Sequence, residues 1–454
     1  MKDANYLGSV REQYEDYPYP PRDPENERKA LIGTDFDFLG KVSHYCFNGR
    51  LDPDKNLRIL VAGGGTGDAT IFLAEQLRGT NAQLVYLDIS ARSMEIAKQR
   101  AMVRGLDNIE WMHGSLLDLP KLEIGEFDYI NCCGVLHHLE DPVRGLNSLK
   151  ARLKDGGAMG IMVYGRYGRT SVYHTQELMR LVNAGETDPR QQLKNARAVL
   201  DCLPKTNWLK SGPVPLGSAA NLSDSDLFDL FLHSQDRSYT VLELYQWLGD
   251  SGLHLIEFAA NKALYRPDTF IKNSELLGRI GQMPENAQQA VAENIAGVIN
   301  KHAFYASARR DTIASLEDGD NIPYFCDGLP SETMHADLHA KANAQPHGAP
   351  IELTFPNSKA TVSIPPGPYT RYFFKYADSK TSLNEIVHLI RDEAEFGSRR
   401  PSTEEVFSEF QRVYRILNMH DLMLLRSKGI HGFKTYRQLQ APVSLKYGTM
   451  TTGN

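Results

Sequence analysis

The sequence predicts an α/β fold with a doubly wound, mostly parallel, seven-stranded sheet, and three observations predict it. Short apolar runs alternate with amphipathic helical stretches from Arg58 onward, a glycine loop follows the first run directly, and an aspartate closes the second. Strands alternating with helices imply a parallel sheet covered on both faces.

Arg58-Ile-Leu-Val-Ala62 is apolar and stops at glycines, as a buried parallel strand does. Asp68 to Leu77 reads as a helix, and Gln83 to Asp88 as the second strand. Ser90 caps a helix whose Met94, Ala97 and Ala101 share one face and which Gly105 ends. Ile109 to Met112 and Phe127 to Cys132 are the third and fourth strands. Asp141 to Leu153 is a helix, and Ala158 to Tyr164 is the fifth strand after the Asp155-Gly-Gly157 turn. Leu253 to Ala260 and Lys301 to Ser307 read as final strands that could form an antiparallel edge.

This α/β domain is expected over 51–310, with a helical insertion at about 166–240. Residues 1–50 form an N-terminal strap or lid: Gln13 to Arg22 is dense in Tyr and Pro and is expected to be extended, not helical. An irregular linker is expected over 311–365. Residues 366–454 are expected to form a small winged-helix-like module. Its helices start at the capping boxes Ser382/Glu385 and Ser402/Glu405, and Leu422 to Leu425 supplies a closing strand.

Composition narrows the function. A net charge of −6 over 454 residues gives no basic field for nucleic acid. No apolar run reaches the roughly 20 residues that span a bilayer, and the polar N-terminus has no signal core. The expectation is a cytoplasmic protein with no membrane partner. Cys46, Cys132, Cys133, Cys202 and Cys326 form no CxxC pair and no zinc pattern, so no metal is expected and a reducing compartment fits.

The glycine loop points to a cofactor. Gly63, Gly65 and Gly67 open a helix directly after the first strand, where glycine allows close backbone approach to a ligand. A dinucleotide loop needs GxGxxG/A, but its last position falls on Asp68 or Thr70. An acid at a helix N-terminus also serves a pyrophosphate poorly. The spacing favours an adenosyl cofactor without phosphates over a nicotinamide one. Asp88 is placed to accept from two ribose hydroxyls; the bland alternative is a strand-end aspartate capping the next helix. Ser115 and Leu116 can flank an adenine, while Asp118 reads as a second polar contact or a loop residue. The fourth strand runs into Asn131 to Pro142, and its carboxyl end lies by the switch point where open α/β sheets bind ligands.

Four blocks together, VAGGGTG (61–67), YLDIS (86–90), GSLLDLP (114–120) and FDYINCCGVLHHLEDP (127–142), resemble the class I S-adenosylmethionine-dependent methyltransferases. The resemblance is strong over about 58–165 and weaker toward 308. It implies a Rossmann-like methyltransferase fold and S-adenosyl-L-methionine as cofactor. It also implies a pocket lined by Ala62, Gly63, Gly64, Gly65, Gly67, Asp88, Ile89, Ser115, Leu116 and Cys133. Two positions depart from the family: Val61 stands where an acid is common, and Ser115 where Asp is common. The LHHL-E-D-P segment looks most like the small-molecule and general branch, and the (D/N)PP(Y/F) block is missing.

The implied activity is methyl transfer to a small-molecule acceptor. A protein or peptide acceptor read by the C-terminal module is the alternative, and a non-catalytic adenosyl-binding protein is the third reading. His137 and His138 are the candidate general bases; the bland alternative is loop stabilisation or helix capping. His233, Arg237 and Tyr239, with Asp236, form a polar cluster that could bind the acceptor or sit in solvent. Tyr19, with Tyr14 and Tyr17, could form an aromatic lid. Vicinal Cys132 and Cys133 are expected to line the pocket, not to react. The helices between 166 and 238 offer a surface for a homodimer.

Overall fold

The structure is a computed structural model that describes residues 8–440, apart from 35, 213–221, 327–330, 345, 347–348, 355–360 and 398. The first five strands are β1 (Arg58–Ala62), β2 (Gln83–Asp88), β3 (Ile109–His113), β4 (Phe127–Cys133) and β5 (Leu153–Gly165). Then follow β6 (Ser238–Tyr239), β7 (His254–Phe258) and β8 (Lys301–Ser307). The sheet runs β3-β2-β1-β4-β5-β8-β7, with the two-residue β6 added parallel to β5, so eight strands stand where seven were expected. The first five are mutually parallel, and β8 lies antiparallel between β5 and β7. The central residues of β1, β2, β4 and β5 are buried, as strands covered on both faces require, whereas the edge strand β3 is half-exposed.

Local signals set the helices. The Ser90 hydroxyl accepts from the Ser93 amide and opens the helix Ala91–Arg104, which Gly105 ends at φ +61°. Helices Thr170–Val182 and Pro189–Cys202 form the insertion after β5 and pack around their own apolar cluster.

The N-terminal segment departs from expectation at one end. Helix Gly8–Asp16 includes Gln13 to Asp16, and only from Tyr17 is the chain irregular. The prolines that remove amide donors begin at Pro18, so nothing forbids a helix before it. Helix Leu39–Cys46 then packs beneath the sheet.

The stretch 311–365, expected to be irregular, carries regular elements among its described residues. It contains β9 (Asn321–Phe325), helix Ser331–Ala344, and β10 (Ile351–Thr354) paired antiparallel with β11 (Thr361–Ile364). Helices Thr370–Tyr376, Leu383–Arg391 and Thr403–Met419 follow, then β12 (Met423–Ser427), which pairs antiparallel with β9. Leu353, Val362, Phe373, Ile386, Phe410 and Leu417 share one core there. Among the described residues no helix is long and apolar enough to cross a membrane.

Candidate active site

After β1 the chain turns through Gly63 and Gly65 at φ +78° and +49°, conformations that side chains disfavour. Space matters as much. A Cβ on Gly63 would lie 2.2 Å from Val135, and one on Gly64 2.3 Å from Tyr86. The Tyr86 hydroxyl donates to the Gly65 carbonyl at 2.7 Å. Asp88 Oδ2 accepts from the Gly65 amide at 2.7 Å, and Oδ1 accepts from the Ser90 amide at 2.8 Å. The second strand thus holds the loop above it. Burial raises the Asp88 pKa, while these two amides pull it back down.

A cavity of about 540 Å³ opens over this loop, within the usual range of ligand pockets. Gly63, Gly64, Gly65, Asp88, Ile89, Ser115, Leu116 and Cys133 line it. Ala62 and Gly67 do not. Strand alternation points Ala62 into the core beneath, with Leu60. Gly67 serves helix packing: a Cβ there would lie 2.9 Å from that of Ala97.

The N-terminal strap covers the loop. The Tyr19 carbonyl oxygen lies 2.8 Å from where a Gly65 Cβ would stand, and Thr66 Oγ1 donates to the Pro20 carbonyl at 2.7 Å. Arg22 grips Asp68 with two bonds, at 2.9 and 2.6 Å. Asp68 also pairs with Arg100, which pairs in turn with Glu27 of the strap.

A polar group closes the far end of the cavity. Asp229 accepts from Tyr164 at 3.1 Å and from Tyr14 at 3.4 Å. Burial pushes its pKa up to about 6, against the two tyrosine bonds and the field of Arg169. The Arg169 guanidinium lies 3.5 Å over the Tyr164 ring and 3.7 Å from the Asp236 carboxylate. His138 also lines the cavity and bonds the Gln235 carbonyl through Nδ1 at 3.0 Å. That leaves the Nε2 lone pair free, and burial lowers its pKa to about 4, so the ring is neutral at pH 7.

The other predicted residues fall at different distances from this space. Tyr19 and Tyr14 line the cavity, whereas Tyr17 stacks on Phe228 at 4.7 Å beside it. His233 lies one residue back, stacked on His138 at 3.9 Å with Nε2 3.4 Å from the Tyr14 hydroxyl. His137 does not reach the cavity. It is fully buried, it packs on Tyr164 at 3.9 Å, and burial holds it uncharged. Arg237 and Tyr239 also lie outside. The pairing of β6 with β5 turns Tyr239 onto Trp247 at 5.0 Å, and Arg237 is exposed over the Tyr239 ring.

Polar atoms of His138, Asp229 and His233 lie within 4.8 Å of one another, a spacing a metal ion could use. The hydrogen bonds favour another use. His233 Nδ1 accepts from the Gln235 amide at 3.0 Å, so its proton is on Nε2, the atom that would have to ligate.

Sequence reasoning gave no site role to Arg22, Thr34, Tyr164, Arg169 and Asp229, and placed Asn131 only at the start of the switch-point segment; all six line the cavity. Tyr164 was legible as a strand end at the switch point. Nothing local marks Asp229, which sits among apolar residues.

A family model for the methyltransferase domain matches residues 60–159, the span from β1 into β5. Over that span the chain matches a methyltransferase domain. It is 33% identical over 272 residues to an uncharacterized protein of Synechococcus sp., covering 59% of this chain and 64% of that one. It is 34% identical over 142 residues to the tRNA 5-carboxymethoxyuridine methyltransferase of Escherichia coli K12, covering 31% of this chain and 49% of that enzyme. The chain thus spans about half to two thirds of these relatives. PKMT2 from Rickettsia typhi matches in structure with a TM-score of 0.61 at 14% identity, covering 90% of this chain and 77% of that one. The same protein in complex with AdoHcy gives 0.60 at 16% identity. At such identity the likeness is one of fold, and it extends over most of the chain.

The methyltransferase cavity fits S-adenosylmethionine on its own residues. Asp88 can accept from ribose hydroxyls beside the loop, and Ile89 and Leu116 give apolar walls for an adenine. Asp68 in the first turn of helix Asp68–Gln76 opposes a pyrophosphate there.

Proposed function

We propose that this methyltransferase acts on the nitrogen of a small amine-bearing molecule. One observation carries the reading: Asp229, a buried carboxylate between two tyrosine hydroxyls, lies in the same cavity as the glycine loop. Arg169 has Asp236 as its closest acid, whereas Asp229 has no ion-pair partner among the described residues. With the histidines neutral, Asp229 is the negative charge between the two tyrosines, with Arg169 and Lys301 also lining the cavity nearby. It suits a cationic ammonium, which the π faces of Tyr14 and Tyr164 also favour.

When bound, the sulfonium of the cofactor supplies an electrophilic methyl group. The protein has to hold the nitrogen in line, exclude water and remove one proton from the ammonium. Asp229 can orient the ammonium through its carboxylate and accept that proton. Its raised pKa makes it a better base than an exposed carboxylate, and His138 Nε2 is the second acceptor within the cavity. With that proton on Asp229 or His138, the nitrogen would present a free lone pair to the methyl group that the bound cofactor supplies.

The test is transfer of labelled methyl to a panel of small amines, hydroxy compounds and peptides, with wild type and Asp229→Asn. Amine products, with a loss of about 100-fold or more in the variant at unchanged AdoHcy affinity, support the reading. Methylation confined to hydroxyl oxygens, or an unaffected variant, overturns it.

A second reading, a peptide acceptor, is favoured by a polar groove on the C-terminal unit lined by Tyr369, Glu405, Glu409, Arg412 and Arg415. Charge reversal at exposed Arg412 and Arg415 separates the two. Only a peptide substrate should show a raised KM.

A further inference from the structure

Asn131 stands in β4 directly across from Val61 of β1, their Cα atoms paired in the parallel register. Both residues line the cavity, with Gly63 and Cys133 on the same side. The Asn131 side chain is 1% exposed. Its Nδ2 donates to Asp37 Oδ1 at 2.6 Å. Because a carboxylate only accepts, this bond fixes which way round the amide sits. Oδ1 is left over, buried and with no hydrogen-bond partner among the described residues. An unmet buried carbonyl costs about 1–3 kcal/mol, so this is a receptor for a donor that the protein itself does not provide.

Asp37 is built to hold that orientation. It is fully buried, its other oxygen accepts from Thr34 Oγ1, and its own carbonyl accepts from Gln76 Nε2 at 2.8 Å. Helix Asp68–Gln76, β4 and the N-terminal segment therefore converge on one amide oxygen. Asp37 also places an acidic group immediately behind it.

The cofactor has donors at three places: the adenine amine, the ribose hydroxyls and the α-ammonium of its methionyl end. Asp88 closes β2, on the far side of β1 from β4. Two inter-strand spacings, about 10 Å, separate the ends of β2 and β4. With the ribose at Asp88 and the adenine beyond it at Ser115 and Leu116, only the methionyl end can reach β4. We propose that Asn131 Oδ1, oriented by Asp37, receives the α-ammonium group of S-adenosylmethionine. A carbonyl dipole backed by an acidic residue matches a cationic donor, and Val61 beside it offers no polar atom. Arg22 lines the same cavity and can meet the neighbouring carboxylate. The inference rests on the cofactor alone and is independent of the acceptor reading.

The experiment is calorimetric titration of the full chain with three ligands. S-adenosylhomocysteine carries both ammonium and carboxylate, decarboxylated S-adenosylmethionine keeps only the ammonium, and 5′-methylthioadenosine has neither. Asn131→Leu keeps the side-chain volume and removes the oxygen. It should weaken the first two ligands by about 10- to 100-fold and leave the third unchanged. Asp37→Asn, which frees the Asn131 amide to turn over, should show the same pattern more weakly. Unchanged 5′-methylthioadenosine binding reports a folded site in either variant. Equal weakening of all three ligands, or loss for S-adenosylhomocysteine without loss for the decarboxylated ligand, would overturn the assignment. So would no change in any of them.

Discussion

Asp88 and Gly65 are joined by a 2.7 Å bond in which the loop amide donates to the carboxylate that closes the next strand. A single side chain therefore shapes the glycine loop and faces the ribose position. Asp88→Ala should lower affinity for S-adenosylhomocysteine by about 100-fold or more, since it removes charge-assisted bonds on both sides. Asp88→Asn should fall between, because one carbonyl oxygen cannot serve both the Gly65 and Ser90 amides. Calorimetry on the three proteins checks the order.

Burial of the Asp229 carboxylate costs stability at neutral pH. Its pKa is raised by burial from 3.8 to about 6 in the folded protein. The folded state therefore holds the proton more tightly than the unfolded state. Stability from this group is present below pH 4 and is lost as the pH rises through 6. At neutral pH the charged carboxylate works against folding by at most about 3 kcal/mol, at 1.36 kcal/mol per pH unit. Asp229→Asn should accordingly raise the urea midpoint at pH 7.5 and change it little at pH 4, while abolishing amine methylation. Wild-type transfer should climb as the pH rises through about 6. A variant that is destabilised at pH 7.5 would show that the tyrosine bonds outweigh the burial of charge.

The parts legible in the sequence are those whose cause is local. β1, the glycine loop, Asp88 and the Ser90 cap each follow from neighbours a few residues away. The acceptor end is not of that kind. Tyr14 and Asp229 are 215 positions apart, and Asn131 and Asp37 are 94 apart. No spacing rule connects them. Arg237 and Tyr239 were attractive as part of a polar cluster, but the short β6 pairing with β5 turned one out to solvent and the other into the core. The capping boxes at Ser382 and Ser402 marked the C-terminal helices correctly. β9 was missed because its partner β12 lies far along the chain and its own sequence includes a proline.

The strap is fastened by three ion pairs of unequal worth, one at Arg22 and two at Glu27. Arg22 and Asp68 are 29% and 19% exposed, so Arg22→Ala should give up about 1 kcal/mol, read as a roughly fivefold faster release of S-adenosylhomocysteine in stopped flow. Glu27 is 3% exposed and holds both Arg100 and Arg104, themselves buried. Removing it takes their shared acid from two buried guanidinium groups and leaves Arg100 with Asp68 and Arg104 with Glu75 at 3.5 Å, a loss of about 3 kcal/mol. Glu27→Ala should expose the segment around Tyr17 to limited proteolysis, where Arg22→Ala leaves it protected. Equal protection in both variants would mean that the strap is held by its backbone contacts instead.

Asp421 makes the C-terminal unit inseparable from the methyltransferase domain. It lies just before β12 and accepts from Lys262 at 2.7 Å, Lys41 at 2.9 Å and the Tyr45 hydroxyl at 2.6 Å. Next to it the Leu425 amide of β12 donates to His44 Nδ1 at 3.1 Å. Burial alone would raise the Asp421 pKa, but the two lysines outweigh it and hold the group well below the usual carboxylate range. Its stabilising contribution is therefore present above pH 4 and is lost as the pH falls further. Asp421→Asn should cost about 3 kcal/mol by leaving the buried Lys262 and the part-buried Lys41 without their acid, and the loss should shrink toward pH 3. Ending the chain at about 310 should do worse, because Lys41, Lys262 and His44 lose every partner that β12 and its flanks supply. The expected product lacks a cooperative thermal transition and does not bind S-adenosylhomocysteine. A soluble, cofactor-binding truncate would show instead that the two lysines can find water or other partners once the unit is gone.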